Sequence, residues 1–234
     1  MSRISTAKPA RSLGGSARQN SAVRGPGRRE RRHAETRGRL MRCALRLFAD
    51  RGFADTSIKD ITEAADVGKG TFFNYFRTKE HVLDTFGKQR LAKVEAALAE
   101  AQTGKKSIQQ IMRELAHSHR SESPYTPKLM RSFMVAALLN DSVRRTTTEN
   151  QAYGRSVLSK IVAIGQKRGE IRQDVAGSQV ARTMQQGIFG AFLLWALNPE
   201  LEISTWLDPW VDVLLFGIVP RGRDRARSAK DSRR

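Results

Sequence analysis

Apolar side chains recur every three or four positions along most of the chain, and no stretch shows the strict apolar–polar alternation of a half-buried strand. The clearest case is a pair of short segments. Ile58, Ile61 and Ala65 share one face of the first segment, and Phe72 and Phe76 lie four positions apart in the second. Two short helices that share an apolar seam across a three-residue turn predict a helix-turn-helix, with a polar and basic outer face that suits the major groove of DNA.

The same periodicity predicts an all-α chain of about nine helices. The first eight span about residues 35–51, 58–65, 69–76, 79–102, 107–121, 128–139, 143–168 and 178–197. Ser57 and Thr78 are the expected N-caps of the second and fourth helices. The ninth helix is expected to end near Gly217, and Pro209 best fits its first turn, although the apolar pattern begins near Trp206.

Positive charge is concentrated at the two ends of the chain. The formal net charge is +19, and residues 1–39 carry 11 Lys or Arg against 2 Asp or Glu. Residues 1–33 and 221–234 hold almost no large apolar side chains, so we expect both to be disordered basic arms. Between the arms we place a helix-turn-helix domain at 34–78 and a ligand-binding and dimerisation domain at 79–220. The excess of positive charge favours a polyanionic partner.

The sequence favours a cytoplasmic protein without catalytic or metal chemistry. No apolar run reaches the roughly 20 residues that span a bilayer, and the one cysteine, Cys43, is expected to pack rather than react. His117 and His119 are two positions apart and point away from each other on a helix. The stretch 68–71 lacks the first glycine and the Lys-Ser/Thr pair of a phosphate-binding loop. We therefore expect no catalytic residue, no metal ligand, no cofactor and no membrane partner.

The helix-turn-helix segment resembles the tetracycline-repressor (TetR) family of transcriptional regulators. The resemblance covers about residues 40–83 and is carried by Leu47-Phe48, Gly52-Phe53, Thr56-Ser57-Ile58, Asp60-Ile61, Val67, Lys69-Gly70-Thr71-Phe72, Phe76 and Lys79-Glu80. It implies an N-terminal three-helix DNA-binding domain, a helical ligand-sensing domain and a dimer made by helices 8 and 9. Asp66, Gly68 and Phe73 depart from the family pattern. Asp66 tolerates a left-handed turn, whereas Phe73 lacks a hydroxyl that could contact phosphate.

Seven residues around the helix-turn-helix are candidates for binding DNA. Lys69 can donate to guanine, Asn74 can pair with adenine, and the methyl group of Thr71 suits thymine. Thr56 and Lys79 lie at helix N-termini, which attract phosphate. The predicted base contacts are Lys69, Thr71 and Asn74, the predicted phosphate contacts are Thr56, Tyr75 and Lys79, and Ser57 completes the predicted set. The alternatives are ordinary helix capping and solvated polar residues on a short helix.

Apolar stripes on the later helices supply candidates for a ligand cavity and a dimer interface. Ligand cavities are mostly apolar with a few polar groups, and an apolar excess on the last two helices is typical of an obligate dimer. The predicted ligand-binding residues are Met112, Leu115, Phe133, Met134, Ala137, Met184 and Ile188. The predicted dimer-interface residues are Gly187, Ala191, Leu194, Trp195, Trp210 and Leu214. Ordinary core packing is the alternative for both sets.

We interpret the chain as a homodimeric transcriptional repressor that binds a palindromic double-stranded DNA operator. A mostly apolar small-molecule effector is expected to release it. A basic architectural or RNA-binding protein with little sequence specificity is the main alternative. A helical enzyme with a vestigial DNA-binding domain is a third interpretation, and the absence of a catalytic grouping in the sequence argues against it.

Deletion of residues 1–33 should lower the affinity for every DNA duplex, make binding less dependent on salt, and leave the preferred operator unchanged. The reason is that arginines spaced among small residues can follow the phosphate backbone or enter a minor groove. Titrations of full-length and truncated protein across a salt series measure both the affinity and the slope. Equal affinity and equal slope would favour a solubilising tail instead.

Overall fold

The computed structural model describes residues 27–118 and 125–219, and within these residues all regular secondary structure is α-helical, as the periodicity predicts. The helices are α1 (Arg28–Arg51), α2 (Ile58–Ala64), α3 (Lys69–Phe73), α4 (Lys79–Thr103), α5 (Ile108–His117), α6 (Pro127–Leu139), α7 (Asp141–Lys167), α8 (Gly177–Leu197) and α9 (Ile203–Ile218). The side-chain hydroxyls of Ser57 and Thr78 accept from the third residue of α2 and α4, which confirms both predicted N-caps.

The first three helices close around a small aromatic core. Phe48 of α1, Ile61 of α2, and Phe72 and Phe76 of the α3 segment are fully buried. This core does not stop at α3, because Phe86 of α4 and residues of α6 and α7 belong to the same apolar cluster. The helix-turn-helix therefore shares a continuous core with the helices that follow it, and the predicted boundary between the two domains runs through packed side chains.

The later helices form a second, larger bundle. α4 packs along α7, α7 packs on α8, and α8 packs on both α6 and α9. Ile108 of α5, Ile161 of α7 and Leu215 of α9 are buried in one cluster. The crossing of α8 and α9 is close, because a Cβ atom added at Gly187 would overlap the indole of Trp210. This close approach requires glycine at position 187.

The first helix begins earlier than predicted, at Arg28 rather than near residue 35. The Gly27 N–H donates to the Glu30 carboxylate at 2.8 Å, which satisfies a free donor at the start of the helix. The ring of His33 then packs on the ring of Tyr75 with centroids 4.5 Å apart. Six residues assigned to the disordered arm are therefore helical. The remainder of that arm and the arm at 221–234 lie outside the described residues, so a truncation that tests the arm alone should end at residue 26.

Three other helix boundaries differ from the predictions. α3 ends at Phe73, because the Tyr75 N–H donates to the Phe72 carbonyl three residues back and tightens the chain into a turn. α5 ends at His117, and the rest of its predicted span lies partly outside the described residues. α9 begins at Ile203, which is buried in the core, so Pro209 lies inside the helix rather than in its first turn.

Candidate functional site

Local hydrogen bonds shape the helix-turn-helix. The Ser57 hydroxyl donates to the Asp60 carboxylate at 2.5 Å and accepts from the Asp60 N–H at 3.1 Å. The Ser57 hydroxyl, followed by its N–H, holds the pKa of the Asp60 carboxyl below its ordinary value. Asp66 then adopts a left-handed backbone with a φ of 50°, as predicted for the turn. Together these features start α2 and set the direction in which the chain enters α3.

The outer surface of α3 is polar and accessible. Lys69 and Asn74 are exposed, and Thr71 is half-buried. None of the three side chains forms a hydrogen bond or ion pair within the described residues, so their polar groups are available to a partner. Phe73 is 52% exposed and adds an apolar surface beside them. This combination matches what base edges in a major groove require, namely donors, acceptors and an apolar contact for thymine.

The start of α1 extends the same surface. His33 packs on Tyr75, and the guanidinium carbon of Arg37 lies 5.8 Å from the ring centre of Phe76. These contacts bring the first turns of α1 next to the end of the α3 segment. Exposed arginines in those turns therefore lie close to the proposed reading surface, namely Arg28, Arg29, Arg31 and Arg32. Tyr75 is half-buried between the two elements, and its contact to phosphate stays a prediction.

Thr56 does not lie where a phosphate contact would need it, which corrects one prediction. Its side chain is buried, with 1% relative exposure, and its hydroxyl donates to the Gly52 carbonyl at 2.7 Å. The hydroxyl closes the loop between α1 and α2 from inside. Ser57 is exposed, and its hydroxyl is bonded to Asp60, which makes it the N-cap of α2. Its contact to DNA stays a prediction.

Lys79 is also engaged inside the protein, contrary to its prediction as a phosphate contact. Its Nζ donates to the carbonyl oxygens of Phe53, Ala54 and Thr56 at 2.8, 3.0 and 3.0 Å, and lies 4.6 Å from the centre of the Phe53 ring. An ammonium group has three donors, and all three are used here. We call this arrangement the Lys79 clamp. It ties the first residue of α4 to the loop that precedes α2.

A cavity lies between α4, α7 and α8, with contributions from α5 and α6, and we call it the α4–α7 pocket. Its apolar wall consists of Leu83, Leu91, Val94, Leu115, Phe133, Val143, Leu158, Ile188 and Phe189. Its polar wall consists of Glu80, Asp84, Arg90, Thr146, Thr147, Asn150, Gln151 and Gln185, and Gly87 and Gly154 complete the lining. The pocket therefore offers an apolar body with a small set of polar groups, as organic ligands require.

Three of the seven predicted ligand residues lie in this wall, namely Leu115, Phe133 and Ile188. The other four lie elsewhere, because their helices turn them toward neighbouring cores. Met112 and Met184 are buried in the cluster between α5, α7, α8 and α9. Met134 packs on the α8–α9 cluster, and Ala137 packs on the core of the helix-turn-helix. Binding of a ligand by the three pocket residues stays a prediction.

The sequence analysis did not predict the half-buried cation in this wall, Arg90. Arg90 is half-buried on α4, and its guanidinium carbon lies 4.8 Å from the ring centre of Phe192 and 5.8 Å from that of Tyr125. Burial lowers the pKa of the Arg90 guanidinium, and the phenol of Tyr125 opposes this shift. The sequence did contain a signal, since Arg90 follows Phe86 and Gly87 by four and three positions on an otherwise apolar face.

The predicted dimer residues are only partly on the surface. Ala191 and Trp195 are 5% and 7% exposed and pack inside the chain's own core, which corrects their assignment. Gly187 lies under Trp210 of the same chain, and Leu214 packs against the core, so these three are also engaged within one chain. Leu194 is 43% exposed.

A different set of apolar residues faces outward on the last two helices. Phe216 is 87% exposed and Val213 is 73% exposed. We define the α8–α9 face as Leu193, Leu194, Leu197, Val213 and Phe216, all of them exposed. Leu194 is its one member among the predicted residues. Large exposed apolar side chains on two helices that pack together are typical of an interaction surface.

Comparisons with known proteins agree with this geometry. The family model described as "Bacterial regulatory proteins, tetR family" matches residues 40–85, which hold the helix-turn-helix and the start of α4. The chain belongs to the TetR family of transcriptional regulators. As expected for a TetR-family regulator, it has an N-terminal helix-turn-helix for DNA and a larger helical bundle behind it.

Three relatives illustrate how far the similarity reaches. The HTH-type transcriptional regulator TcmR of Streptomyces glaucescens is 44% identical over 62 residues, which span 26% of this chain and 27% of TcmR. The HTH-type transcriptional repressor DhaR of Mycobacterium sp. (strain GP1) is 25% identical over 79% of this chain and 92% of DhaR. The crystal structure of Thermus thermophilus FadR, a TetR-family repressor in complex with lauroyl-CoA, superimposes with a TM-score of 0.55 at 27% identity, over 79% of this chain and 96% of that one.

Two further observations concern the residues that the structure describes. None of their helices combines the length and apolar character that crossing a membrane requires. No group of three or more metal-binding side chains gathers among residues 27–118 and 125–219.

The Lys79 clamp predicts a loss of stability rather than of phosphate binding. Replacing Lys79 by Met removes three charge-assisted hydrogen bonds. Because the site is half-buried and water can replace part of them, the free energy of unfolding should fall by about 1.5–3 kcal/mol, the range for one bond to a charged group. The melting temperature should then fall by roughly 3–12 °C. Operator affinity should fall, but the slope of log affinity against log salt should not change.

The matched control is Lys69→Met, which removes an exposed cation that has no partner within residues 27–118 and 125–219. It should weaken operator binding at fixed salt and leave the melting temperature unchanged. Differential scanning calorimetry and binding titrations across a salt series measure both quantities. If Lys79→Met kept its melting temperature and made the salt slope shallower by about 0.9, Lys79 would be a phosphate contact after all.

Proposed function

We propose that this protein is a homodimeric repressor that binds a palindromic operator and is released when a small organic effector enters the α4–α7 pocket. One observation carries this proposal. The pocket and the helix-turn-helix are attached to the same helix, since Glu80 and Leu83 line the pocket immediately after Lys79 holds the loop between α1 and α2. A ligand that moves α4 must therefore also move the DNA-binding helices.

The proposed reading element is the polar surface of α3. Lys69, Thr71 and Asn74 lack internal partners among the described residues and are assigned to base edges. The exposed arginines at the start of α1 are assigned to phosphates that flank the site, because His33 and Tyr75 hold that part of α1 beside α3. Phosphate contacts position the protein, and base contacts provide the sequence preference.

The proposed dimer forms through the α8–α9 face. Leu193, Leu197, Val213 and Phe216 would otherwise keep a large apolar surface in water. Pairing two copies through the same face creates a twofold axis, so the two reading elements are related by that axis. The operator is then expected to contain two inverted half-sites, separated by about one helical turn or more.

The effector is expected to be a small, largely apolar molecule that fits the α4–α7 pocket. Relatives support an organic effector, since the FadR structure contains lauroyl-CoA. The effector releases DNA only if it binds more tightly to the arrangement of α4 that fits the operator poorly. We assign no enzymatic activity to the protein and place it in the cytoplasm, where bacterial operator DNA lies.

The architectural or RNA-binding alternative differs in one measurable property, which is sequence preference. An architectural protein binds most duplexes with similar affinity, since it contacts the backbone and not the bases. Asn74 and Lys69 are accessible and have no partner among the described residues, which favours a base-reading protein over that alternative.

Selection of bound duplexes from a random pool should return a site with two inverted half-sites. Asn74→Ala should then relax the preference at one position in each half-site and weaken operator binding by about 1–3 kcal/mol for each bidentate pair with a base that it removes. Gln102→Ala removes an exposed amide at the far end of α4 and should change neither property. Enrichment of no symmetric motif, or an Asn74→Ala protein that keeps full affinity and preference, would favour the architectural alternative.

A further inference from the structure

Arg90 is a half-buried cation whose hydrogen-bond donors have no acceptor among the residues that the structure describes. Three arginines are half-buried in the described part of the chain. Arg155 donates to the Gln185 side chain at 2.6 Å, and Arg172 donates to the Asp174 carboxylate at 2.5 Å. Arg90, in contrast, forms no hydrogen bond or ion pair with any described residue. A guanidinium group carries five N–H donors. In the wall of the α4–α7 pocket, the donors of Arg90 have no acceptor among the described residues.

Two aromatic rings contact the Arg90 guanidinium but do not satisfy its donors. The rings of Phe192 and Tyr125 provide the cation–π contacts described above. An aromatic ring is a poor substitute for an oxygen acceptor, and donors left unsatisfied in a buried site are costly. Burial also lowers the pKa of the Arg90 guanidinium, which shows that the site disfavours the charged form relative to water. An oxygen-bearing anion would relieve both penalties.

The carboxylates in the pocket indicate which anion fits. Asp84 accepts from Lys88 at 2.7 Å and from Asn150 at 3.3 Å, and Glu80 accepts from Asn140 at 3.5 Å, so both acids are engaged away from Arg90. Their negative charges in the same wall repel a ligand with two or more charges. A single carboxylate matches the fork of one guanidinium in a bidentate pair.

The rest of the pocket defines the other end of the ligand. Phe133, Ile188 and Phe189 form an apolar surface on the α6 and α8 sides of the cavity. Such a surface is suited to an aromatic ring or a short alkyl chain, which gains about 25 cal/mol for each Å² of apolar area removed from water. The ligand is thus expected to have a charged end and an apolar end.

We propose that the α4–α7 pocket binds an apolar monocarboxylate whose carboxylate pairs with Arg90. The proposal rests on the proposed function, because it names the chemical class of that effector. Arg90 lies eleven residues after Lys79 on α4, or about 16 Å along the helix axis. A carboxylate pulled against Arg90 therefore acts on the same helix that carries the Lys79 clamp.

The test compares acids with neutral amides of the same shape. Isothermal titration calorimetry on the full chain without DNA, at pH 7.4, would use 4-phenylbutanoate against 4-phenylbutanamide and octanoate against octanamide. The wild-type protein should bind at least one acid ten or more times more tightly than its amide. Arg90→Met should reduce that preference to less than threefold, and Arg90→Lys should retain part of it because it keeps the charge but not the fork.

The control variant is Arg182→Met, which removes an exposed arginine from α8 and should keep the full preference. Melting temperatures of all variants check folding, and Arg90→Gln replaces Arg90→Met if the latter does not fold. Equal binding of acid and amide to the wild type would overturn the proposal. An unchanged preference in Arg90→Met, or no binding of either acid at millimolar concentration, would also overturn it.

Operator binding is measured separately, so the two proposals can fail independently. If an acid binds through Arg90 and leaves operator affinity unchanged, the ligand class is supported and the effector role fails. If the wild type selects a symmetric operator but binds acids and amides equally, the proposed function as a regulator is supported and the assignment of Arg90 is wrong.

Discussion

A single ammonium group ties the loop between α1 and α2 to α4. The loop between α1 and α2 contains carbonyl oxygens outside regular helices, and such groups require donors when they are removed from water. The Nζ of Lys79 supplies a donor to three of them, at distances of 2.8–3.0 Å. Because Lys79 is the first residue of α4, the loop is fixed to the end of a 25-residue helix. Thr56 closes the same loop from inside through its bond to Gly52.

Because of that attachment, a shift of α4 at the α4–α7 pocket also shifts the DNA-binding helices. Leu83, Gly87 and Arg90 lie on successive turns of α4, so a ligand in the pocket contacts the helix along much of its N-terminal half. The core around Phe86 is shared with α6 and α7, which lets the packing of the larger bundle bias the position of α4. Transmission of ligand binding to DNA then needs two arrangements of α4 with different ligand affinities, and it needs no separate pathway.

Sequence patterns were informative where neighbours in sequence determine the outcome. The helical spacing of Ile58, Ile61 and Ala65, and that of Phe72 and Phe76, predicted the helix-turn-helix. The Ser57 cap followed from local chemistry. The roles of Lys79 and Arg90 could not be predicted in this way, because each depends on groups distant in the chain, such as the carbonyl of Phe53, 26 residues away from Lys79. The dimer face was misassigned for a related reason. Apolar periodicity shows that α8 and α9 have buried faces, but it does not show which apolar residues their own chain covers.

The most direct test of this account is a double-mutant cycle on operator affinity at fixed salt. In Ile188→Trp the indole occupies the α4–α7 pocket in place of an effector. The substitution should therefore weaken operator binding by about 5-fold to 150-fold, the usual range for coupled sites. In a Lys79→Met background the same substitution should change operator affinity by less than twofold, because α4 no longer holds the loop between α1 and α2. An equal loss of affinity in both backgrounds would contradict the account, since the pocket would then act on DNA without the Lys79 clamp.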